Sequence, residues 1–447
     1  MEDCQHILKA LGAFDYVAAT KLISKITKAY QPIGNIFTRL CSCESSFTQL
    51  QFLRSRWFVM RKDTSVEIVY TNLASELPKE ILNITTATSS LSNTDKNHLI
   101  VVMDALTKLC HIRRDMINLY QAILAQSIKG EFDEILNDME ALQTKTLDLN
   151  LSKNLSVLGV GVEKEIKILT CLLRARTAIT NYAFQEACIA LFQLKGDLTE
   201  WKRICQEQDY PEKSSTRPDD TKELSTWRFP LFGTGQSESK VHKQGDIWPN
   251  TIRWHARVLG NLTSKMTLYF NTILLEKESI VSDQDPEKTL WKGLRIDYYE
   301  QISTFKKKHN AYSIGLVYEV THDTPFYPQG YVCCPKTTPY EPPQGIHSFP
   351  FIYCHPKEPP NKHLPSIISI IQGSKHKLSD PRSGPVYFYD HTIGSTYYMM
   401  RVDKHAVCVI IYLDKHLNRE PATVEFITNI VTSLRGSTVI EELIRVD

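Results

Sequence analysis

Residues 94–126 read TDKNHLIVVMDALTKLCHIRRDMINLYQAILAQ, and the spacing of their apolar side chains decides how the first half of the chain folds. These side chains recur every three or four positions, at Leu99, Val102, Leu106, Leu109, Met116, Tyr120 and Ile123. That period is typical of an α-helix with one apolar stripe. Asn93 or Thr94 can cap its start. The stretch therefore predicts a long helix that packs its stripe against other helices.

Arg113 is the one charged residue that falls on this stripe. A buried charge costs several kcal/mol unless an opposite charge pairs with it. We therefore expect the Arg113 side chain either to lie at the edge of the packed seam or to meet a carboxylate.

Further stretches with the same period predict an elongated bundle of helices. Long helices are predicted over about Val162–Gln206 and Trp248–Ser279, and Pro249 suits the first turn of the second. Shorter helices are predicted over Phe14–Tyr30, Ile36–Arg56 and Thr64–Glu76.

The composition changes after residue 208. Up to that point the chain contains only Pro32 and Pro78, whereas proline is frequent afterwards. Between residues 209 and 247 the helical period is lost and polar residues, proline and glycine dominate. We therefore assign a helical bundle to 1–208, a flexible linker to 209–247 and a long helix that completes the bundle to 248–283.

Residues 284–447 are predicted to form a small α+β domain. After a helix ending near Lys308, alternating apolar residues predict strands over Ala311–Val320, Phe349–Cys354, Val386–Asp390, Thr396–Arg401 and Ala406–Leu413. Helices are predicted over Leu364–Ile371 and Thr423–Leu434. The order β-β-α-β-β-β-α resembles the longin/roadblock arrangement, one antiparallel sheet with helices on one face. The whole chain is thus an α+β protein, a large helical bundle followed by a mixed domain.

Charge and hydropathy exclude several classes of partner. The formal net charge is +2, which supplies no long-range field for nucleic acid or an anionic membrane. No apolar stretch approaches the ~18 residues that span a bilayer. The start, Met1-Glu2-Asp3-Cys4, lacks the features of a signal peptide. We expect a cytosolic protein that neither binds nucleic acid nor inserts into a membrane.

A histidine- and cysteine-rich region at 322–363 leaves one chemical alternative open. Its members are Cys333, Cys334, His347, Cys354, His355 and His363. They permit a zinc site or an enzyme, although adjacent cysteines are a poor ligand pair and paired C-x-x-C spacings are absent. Spacings typical of hydrolases and phosphate-binding loops are absent too. We expect no enzyme activity, no cofactor and no metal, with the zinc or enzyme reading as the alternative.

Aromatic residues cluster in the predicted sheet, at Tyr387, Phe388, Tyr389, Tyr397 and Tyr398. Tyrosine is enriched at protein interfaces because it combines apolar area with a polar tip. Alternation along the strands sends these rings to opposite faces, so the cluster indicates either an interaction surface or core packing.

Several short segments together resemble the KICSTOR subunit two family. They are Arg61-Lys62-Asp63, Tyr70-Thr71 with Leu73, Glu76-Leu77, Leu172-Leu173 with Ala175 and Trp201, Gly330-Tyr331, Phe349-Pro350, His363 with Pro365, Phe388-Tyr389-Asp390 and Ser395-Thr396-Tyr397. The resemblance covers most of the chain. It is strongest over about 298–413 and weak in the first fifty residues and the linker.

The resemblance implies a non-enzymatic scaffold subunit of KICSTOR, an assembly at the lysosomal surface that recruits GATOR-one. It would thereby restrain TOR complex one when amino acids and glucose are short. The implied partners are the large SZT-type subunit, kaptin and the integrin-FG-GAP-repeat protein, with GATOR-one contacted indirectly. The family carries no catalytic or cofactor residues. As candidate partner-binding residues we take Arg61, Lys62, Asp63, Phe388, Tyr389, Asp390, Ser395, Thr396 and Tyr397.

Overall fold

The computed structural model describes residues 2–53, 65–86, 93–211, 248–281, 285–331 and 340–444. The helices that precede the sheet are α1 (Glu2–Gly12), α2 (Tyr16–Ala29), α3 (Gln31–Thr48), α4 (Val66–Thr86), α5 (Asn93–Ala125), α6 (Asp133–Leu149), α7 (Leu151–Thr180), α8 (Phe184–Gln206), α9 (Asn250–Tyr269), α10 (Asn271–Val281), α11 (Pro286–Trp291) and α12 (Tyr298–His309). The elements that follow are β1 (Ser313–Tyr318), β2 (Phe351–His355), α13 (Leu364–Gly373), α14 (Lys375–Ser379), β3 (Val386–Asp390), β4 (Ser395–Arg401), β5 (Ala406–Tyr412), α15 (Pro421–Arg435) and α16 (Ser437–Glu441).

The long helix predicted from the apolar stripe is α5, and its prediction is confirmed. It runs from Asn93 to Ala125, and every apolar residue of the predicted stripe is buried. α4, α6 and α7 pack around it. Because neighbours surround the stripe, the burial of its apolar area accounts for the stability of so long a helix.

The single helix predicted over Val162–Gln206 is wrong, because the chain turns back at Asn181–Ala183. α7 ends at Thr180 and α8 begins at Phe184, and the two helices lie side by side. Tyr182 has a φ of 57°, and its ring packs 4.7 Å from that of Phe270. The apolar period continues through this turn, which contains neither glycine nor proline, so the sequence pattern does not indicate that the helix ends there.

The helix predicted over Trp248–Ser279 is also divided. α9 ends at Tyr269 and α10 begins at Asn271. Pro249 lies at the capping position before α9 and not in its first turn. Helices α1 and α6 and the short α11 lie outside the predicted helices, and α4 continues through Pro78 to Thr86.

The sheet has the predicted order of elements, with the short helices α14 and α16 in addition. Its five described strands are all antiparallel, in the order β2-β1-β5-β4-β3. The register pairs Leu316 with Cys408, Tyr398 with Ile410 and Phe388 with Tyr397. β5 therefore lies in the middle of the sheet between β1 and β4, and β2 and β3 lie at its edges.

Both faces of the sheet are covered, which corrects the expectation of helices on one face. On one face, Val317, Tyr397 and Met399 pack in a cluster with Ile367 and Ile371 of α13. On the other, strand side chains join Ile427 and Val431 of α15 in the apolar core of the helical bundle; the strand residues are Ile314, Leu316, Tyr398, Met400, Cys408, Ile410 and Tyr412. Strands that are apolar at every position are typical of sheets buried on both sides. The longin/roadblock comparison and the domain boundaries stay predictions.

Candidate interaction surface

The β3–β4 hairpin holds six of the nine candidate residues. Asp390 pairs with Ser395 at the end of the strands, and a tight turn with Gly394 at a φ of 63° joins them. Oδ1 of Asp390 accepts a hydrogen bond from the Thr392 amide at 2.9 Å. Oδ2 accepts one from the Ser366 hydroxyl at 2.8 Å, and this bond is the main cause that lowers the pKa of Asp390. The turn is thus fixed to α13.

The six hairpin residues divide into an exposed set and a buried set. Phe388 is 44% exposed, while Tyr389 and Asp390 are partly buried. The Tyr389 ring is in edge contact with the ring of His391, and the ammonium of Lys415 lies over it. The other three, Ser395, Thr396 and Tyr397, are buried. A partner can therefore touch Phe388, Tyr389 and Asp390 directly.

The buried set positions the surface. The Thr396 hydroxyl donates to the Asp414 carbonyl at 2.6 Å and accepts from the His416 amide at 3.1 Å. The Tyr397 hydroxyl lies 2.8 Å from Nδ1 of His363. These bonds connect the hairpin to the loop after β5 and to the start of α13. The remaining candidates, Arg61-Lys62-Asp63, lie outside the described residues.

Sequence reasoning missed three apolar residues that the fold exposes near the hairpin. They are Ile393 in the turn, and Leu413 and Leu417 in the loop after β5. The Leu417 carbonyl accepts a hydrogen bond from the Tyr398 hydroxyl, which holds that loop against β4. We call Phe388, Tyr389, Ile393, Leu413 and Leu417 the hairpin surface; alternation along β3 places Phe388 and Tyr389 on opposite faces of the sheet, so this surface lies around the edge of the hairpin. An apolar residue in a predicted turn was the only available signal.

The hairpin surface borders an open sheet edge. Within the described part of the chain, β3 pairs with β4 on one side and with no strand on the other. An edge strand presents backbone donors and acceptors that can pair with another chain. The surface thus combines exposed apolar side chains with available backbone groups, as strand-addition interfaces do.

A buried ionic cluster joins four helices beneath the surface of the bundle. The Arg113 guanidinium donates to Glu44 of α3 at 2.7 Å and to Glu165 of α7 at 2.8 Å, so the expectation that it meets a carboxylate is confirmed. The Tyr120 hydroxyl donates to Glu165 at 2.7 Å and lies 3.2 Å from Nε2 of His255 in α9. Burial raises the pKa of Glu165 against the opposing charge of Arg113, and burial lowers the pKa of His255 to about 3. The hydrogen bonds of this cluster thus run between side chains of α3, α5, α7 and α9.

The histidines and cysteines of the 322–363 region are placed apart. The Cys354 thiol lies 3.2 Å from the Ser313 hydroxyl, and burial raises its pKa. The rings of His355 and Tyr299 are in edge contact, and His363 bonds to Tyr397. In the ranges that the structure describes, no three His, Cys, Asp or Glu side chains are grouped closely enough to hold a metal ion. Cys333 and Cys334 lie outside those ranges.

None of the described helices combines the length and the apolar composition needed to cross a bilayer.

These features define a class of protein. The chain is an α+β protein whose described polar clusters hold its own elements together and whose exposed apolar residues flank a sheet edge. It belongs to the family described as KICSTOR complex C12orf66 like, which matches residues 9–445.

Two relatives show how far the similarity extends. KICSTOR subunit 2 of Danio rerio is 26% identical over 444 residues, which cover 96% of this chain and 92% of the relative. KICSTOR subunit 2 of Xenopus laevis is 25% identical over 450 residues, which cover 97% and 94%. The resemblance found in the sequence segments is therefore confirmed.

Proposed function

We propose that this chain is a non-enzymatic scaffold subunit of a KICSTOR assembly. The observation that carries the proposal is the family match over residues 9–445, nearly the whole chain. In this role the chain binds the large SZT-type subunit, kaptin and the integrin-FG-GAP-repeat protein. It reaches the lysosomal surface through them, helps to recruit GATOR-one and so restrains TOR complex one during amino-acid and glucose shortage.

We assign one of its partner contacts to the hairpin surface. Phe388 supplies an aromatic side chain of the kind that anchors interfaces, and the edge of β3 supplies backbone groups. Ser395, Thr396 and Tyr397 act indirectly, because they are buried and hold the hairpin in place. The segment Arg61-Lys62-Asp63 is proposed as a second contact on the resemblance alone.

Affinity purification of the tagged full-length chain from its own cells tests the proposal. We expect the three other KICSTOR subunits to be recovered with it, and GATOR-one to be recovered only when they are present. A chain that is repeatedly recovered alone would contradict the scaffold role.

A matched pair of variants tests the hairpin surface. Phe388→Asp is expected to reduce recovery of at least one subunit, because a charge replaces the apolar anchor. The control is Ile346→Asp, since Ile346 is also exposed but lies in the short helix before β2. If both variants recover the other subunits equally well, the hairpin surface is not a partner contact. That result would leave the scaffold role unaffected.

A further inference from the structure

The guanidinium of Arg176 in α7 has donors that the fold does not use. The side chain is partly buried, and its guanidinium carbon lies 4.2 Å from the centre of the Phe132 ring. Within the described part of the chain, this guanidinium donates no hydrogen bond and forms no ion pair. A guanidinium carries five N–H groups, and polar groups inside proteins are normally satisfied by protein, water or an ion. Arg176 therefore has donors available for a bound molecule.

Two glycines confine the Arg176 guanidinium. Gly130 follows α5 with a φ of 75°, and Gly436 precedes α16 with a φ of 72°. A Cβ at Gly130 would lie 3.2 Å from Nη2 of Arg176, and one at Gly436 would lie 3.2 Å from Nη1. Because the guanidinium lies this close to two stretches of backbone, its donors are held at a fixed place in the fold.

A small cavity lies beside the guanidinium. Its volume is about 30 Å³, and Arg176 and Asn261 line it together with mostly apolar side chains of α5, α7, α9 and α16. The Asn261 amide donates to the Ser433 carbonyl at 3.0 Å, and the Trp254 indole, which also lines the cavity, donates to the Val439 carbonyl at 2.8 Å. A water molecule needs about 10–15 Å³ of such a cavity. The cavity therefore takes an occupant the size of one or two waters, and phosphate or a carboxylate with an apolar chain is too large for it.

The charges around the cavity favour an anion. Asp403 is the carboxylate whose charge acts on three cations, Lys265, Arg176 and Arg435. Lys265 forms the ion pair with it at 2.9 Å, and the Arg435 guanidinium donates to three backbone carbonyls. Burial lowers the pKa of Arg176 to about 10, so the guanidinium is still charged at neutral pH. Arg176 thus carries a positive charge with neither a paired carboxylate nor a hydrogen-bond acceptor beside it.

We propose that the cavity beside Arg176 is a binding site for chloride, held by the N–H groups of the guanidinium. A water molecule would accept from these groups but would leave the charge unbalanced, whereas an anion does both. The apolar lining disfavours a doubly charged oxyanion, because the cost of removing an ion from water rises with its charge. The bound ion would lie where α7, α9 and the turn before α16 meet and would stabilise their packing. This site is separate from the hairpin surface and does not depend on the proposed function.

Thermal unfolding of the purified full-length chain tests the proposal, with chloride replacing gluconate at constant sodium concentration. We expect the melting temperature to be about 1–2 °C higher in chloride, because the ion binds the folded state alone. Arg176→Met should abolish this difference. The control is Arg174→Met, which removes the same charge from the same helix at an exposed ion pair with Glu140, and it should keep the difference.

The line width of the chloride NMR signal measures binding directly. The parent protein should broaden this signal, and bromide should reverse the broadening by competition, whereas sulfate should not. Val258→Ile adds a methyl group at the lining of the cavity and keeps Arg176, so this variant should lose most of the broadening even if Arg176→Met does not fold. A parent protein that neither broadens the signal nor gains stability in chloride overturns the proposal. So does a chloride effect of equal size in the parent and in the Arg176→Met or Val258→Ile variant.

Discussion

The ammonium of Lys265 in α9 donates a hydrogen bond to Oδ2 of Asp403 at 2.9 Å, and so ties the helical bundle to the turn between β4 and β5. The Lys265 side chain is 2% exposed. Asp403 also accepts hydrogen bonds from the Tyr269 hydroxyl and from the amides of His405 and Ala406. Burial alone would raise the pKa of Asp403, but the charge of Lys265 and these hydrogen bonds hold it below its ordinary value.

Removing Lys265 should therefore leave a buried carboxylate without its cation. We expect Lys265→Met to lower the free energy of unfolding by about 3–5 kcal/mol, as breaking a buried ion pair does. Urea denaturation measures the change. Adding Asp403→Asn should recover part of the lost free energy, because the uncompensated charge is then gone. If the losses of the two single variants simply add in the double variant, the two groups are not coupled.

Arg113 should contribute far more to the free energy of unfolding than an arginine in a surface ion pair does. Arg113→Met leaves both Glu44 and Glu165 buried without their cation, and we expect a loss of about 3–5 kcal/mol in unfolding free energy. The control is Arg39→Met, which breaks the partly exposed pair of Arg39 with Glu76. That change should cost less than about 1 kcal/mol. Similar losses in the two variants would mean that the buried cluster gives no special stability.

Stability should fall as the pH is lowered below neutrality, in part because of His255. Burial holds the pKa of His255 at about 3, whereas the unfolded chain binds this proton at the ordinary value of about 6.5. Between those values the unfolded state carries one more proton, so acid favours unfolding. Between pH 7 and pH 5 the protonation of this group in the unfolded chain should lower the free energy of unfolding by about 2 kcal/mol.

The comparison with His255→Gln isolates that contribution. Glutamine does not titrate, so the variant should lose less stability than the parent over the same pH interval. Urea denaturation at pH 7, 6 and 5 gives the free energy of unfolding of the parent and of the variant as a function of pH. Parallel curves would show that His255 is protonated in the folded state as readily as in the unfolded one.

Gly12 should not tolerate alanine, because α1 crosses α7 there without room for a side chain. A Cβ at Gly12 would overlap backbone atoms of Val157 and Leu158. We expect Gly12→Ala to lower the melting temperature by several degrees, as an overpacked core contact does. The control is Gly196→Ala, which should raise the free energy of unfolding by up to about 1 kcal/mol because a side chain at that position meets no neighbour. A neutral Gly12→Ala would mean that α1 shifts freely on α7.

Zinc analysis of the purified protein should find less than one equivalent. Cys354 and His363 are each engaged by a neighbouring hydroxyl, and burial raises the pKa of the Cys354 thiol, which disfavours the thiolate that binds zinc. Stoichiometric zinc that is lost in Cys354→Ser or His355→Ala would contradict this expectation and support the zinc or enzyme alternative.

Part of the candidate site could be predicted and part could not. The hairpin was recognised because alternating residues define β3 and β4, and Phe388 is indeed exposed. The burial of Tyr397 and Thr396 was not predictable, because it depends on α13 and on the loop after β5. The exposure of Ile393, Leu413 and Leu417 was not predictable either, because it also depends on how the turn and the loop after β5 pack.

The sequence by itself determined the elements that depend on local period, namely the long helix α5, the strands and the order of elements in the last third of the chain. It also required Arg113 either to lie at the edge of the seam or to meet a carboxylate, since a lone buried charge is too costly. Only the tertiary structure decided that the partners are Glu44 and Glu165, which lie 69 and 52 residues away along the chain. It also decided the turn at Tyr182 and the burial of both faces of the sheet. The physical reason is that hydrophobic period is a property of neighbouring residues, whereas the pairing of faces and charges depends on which distant segments pack together.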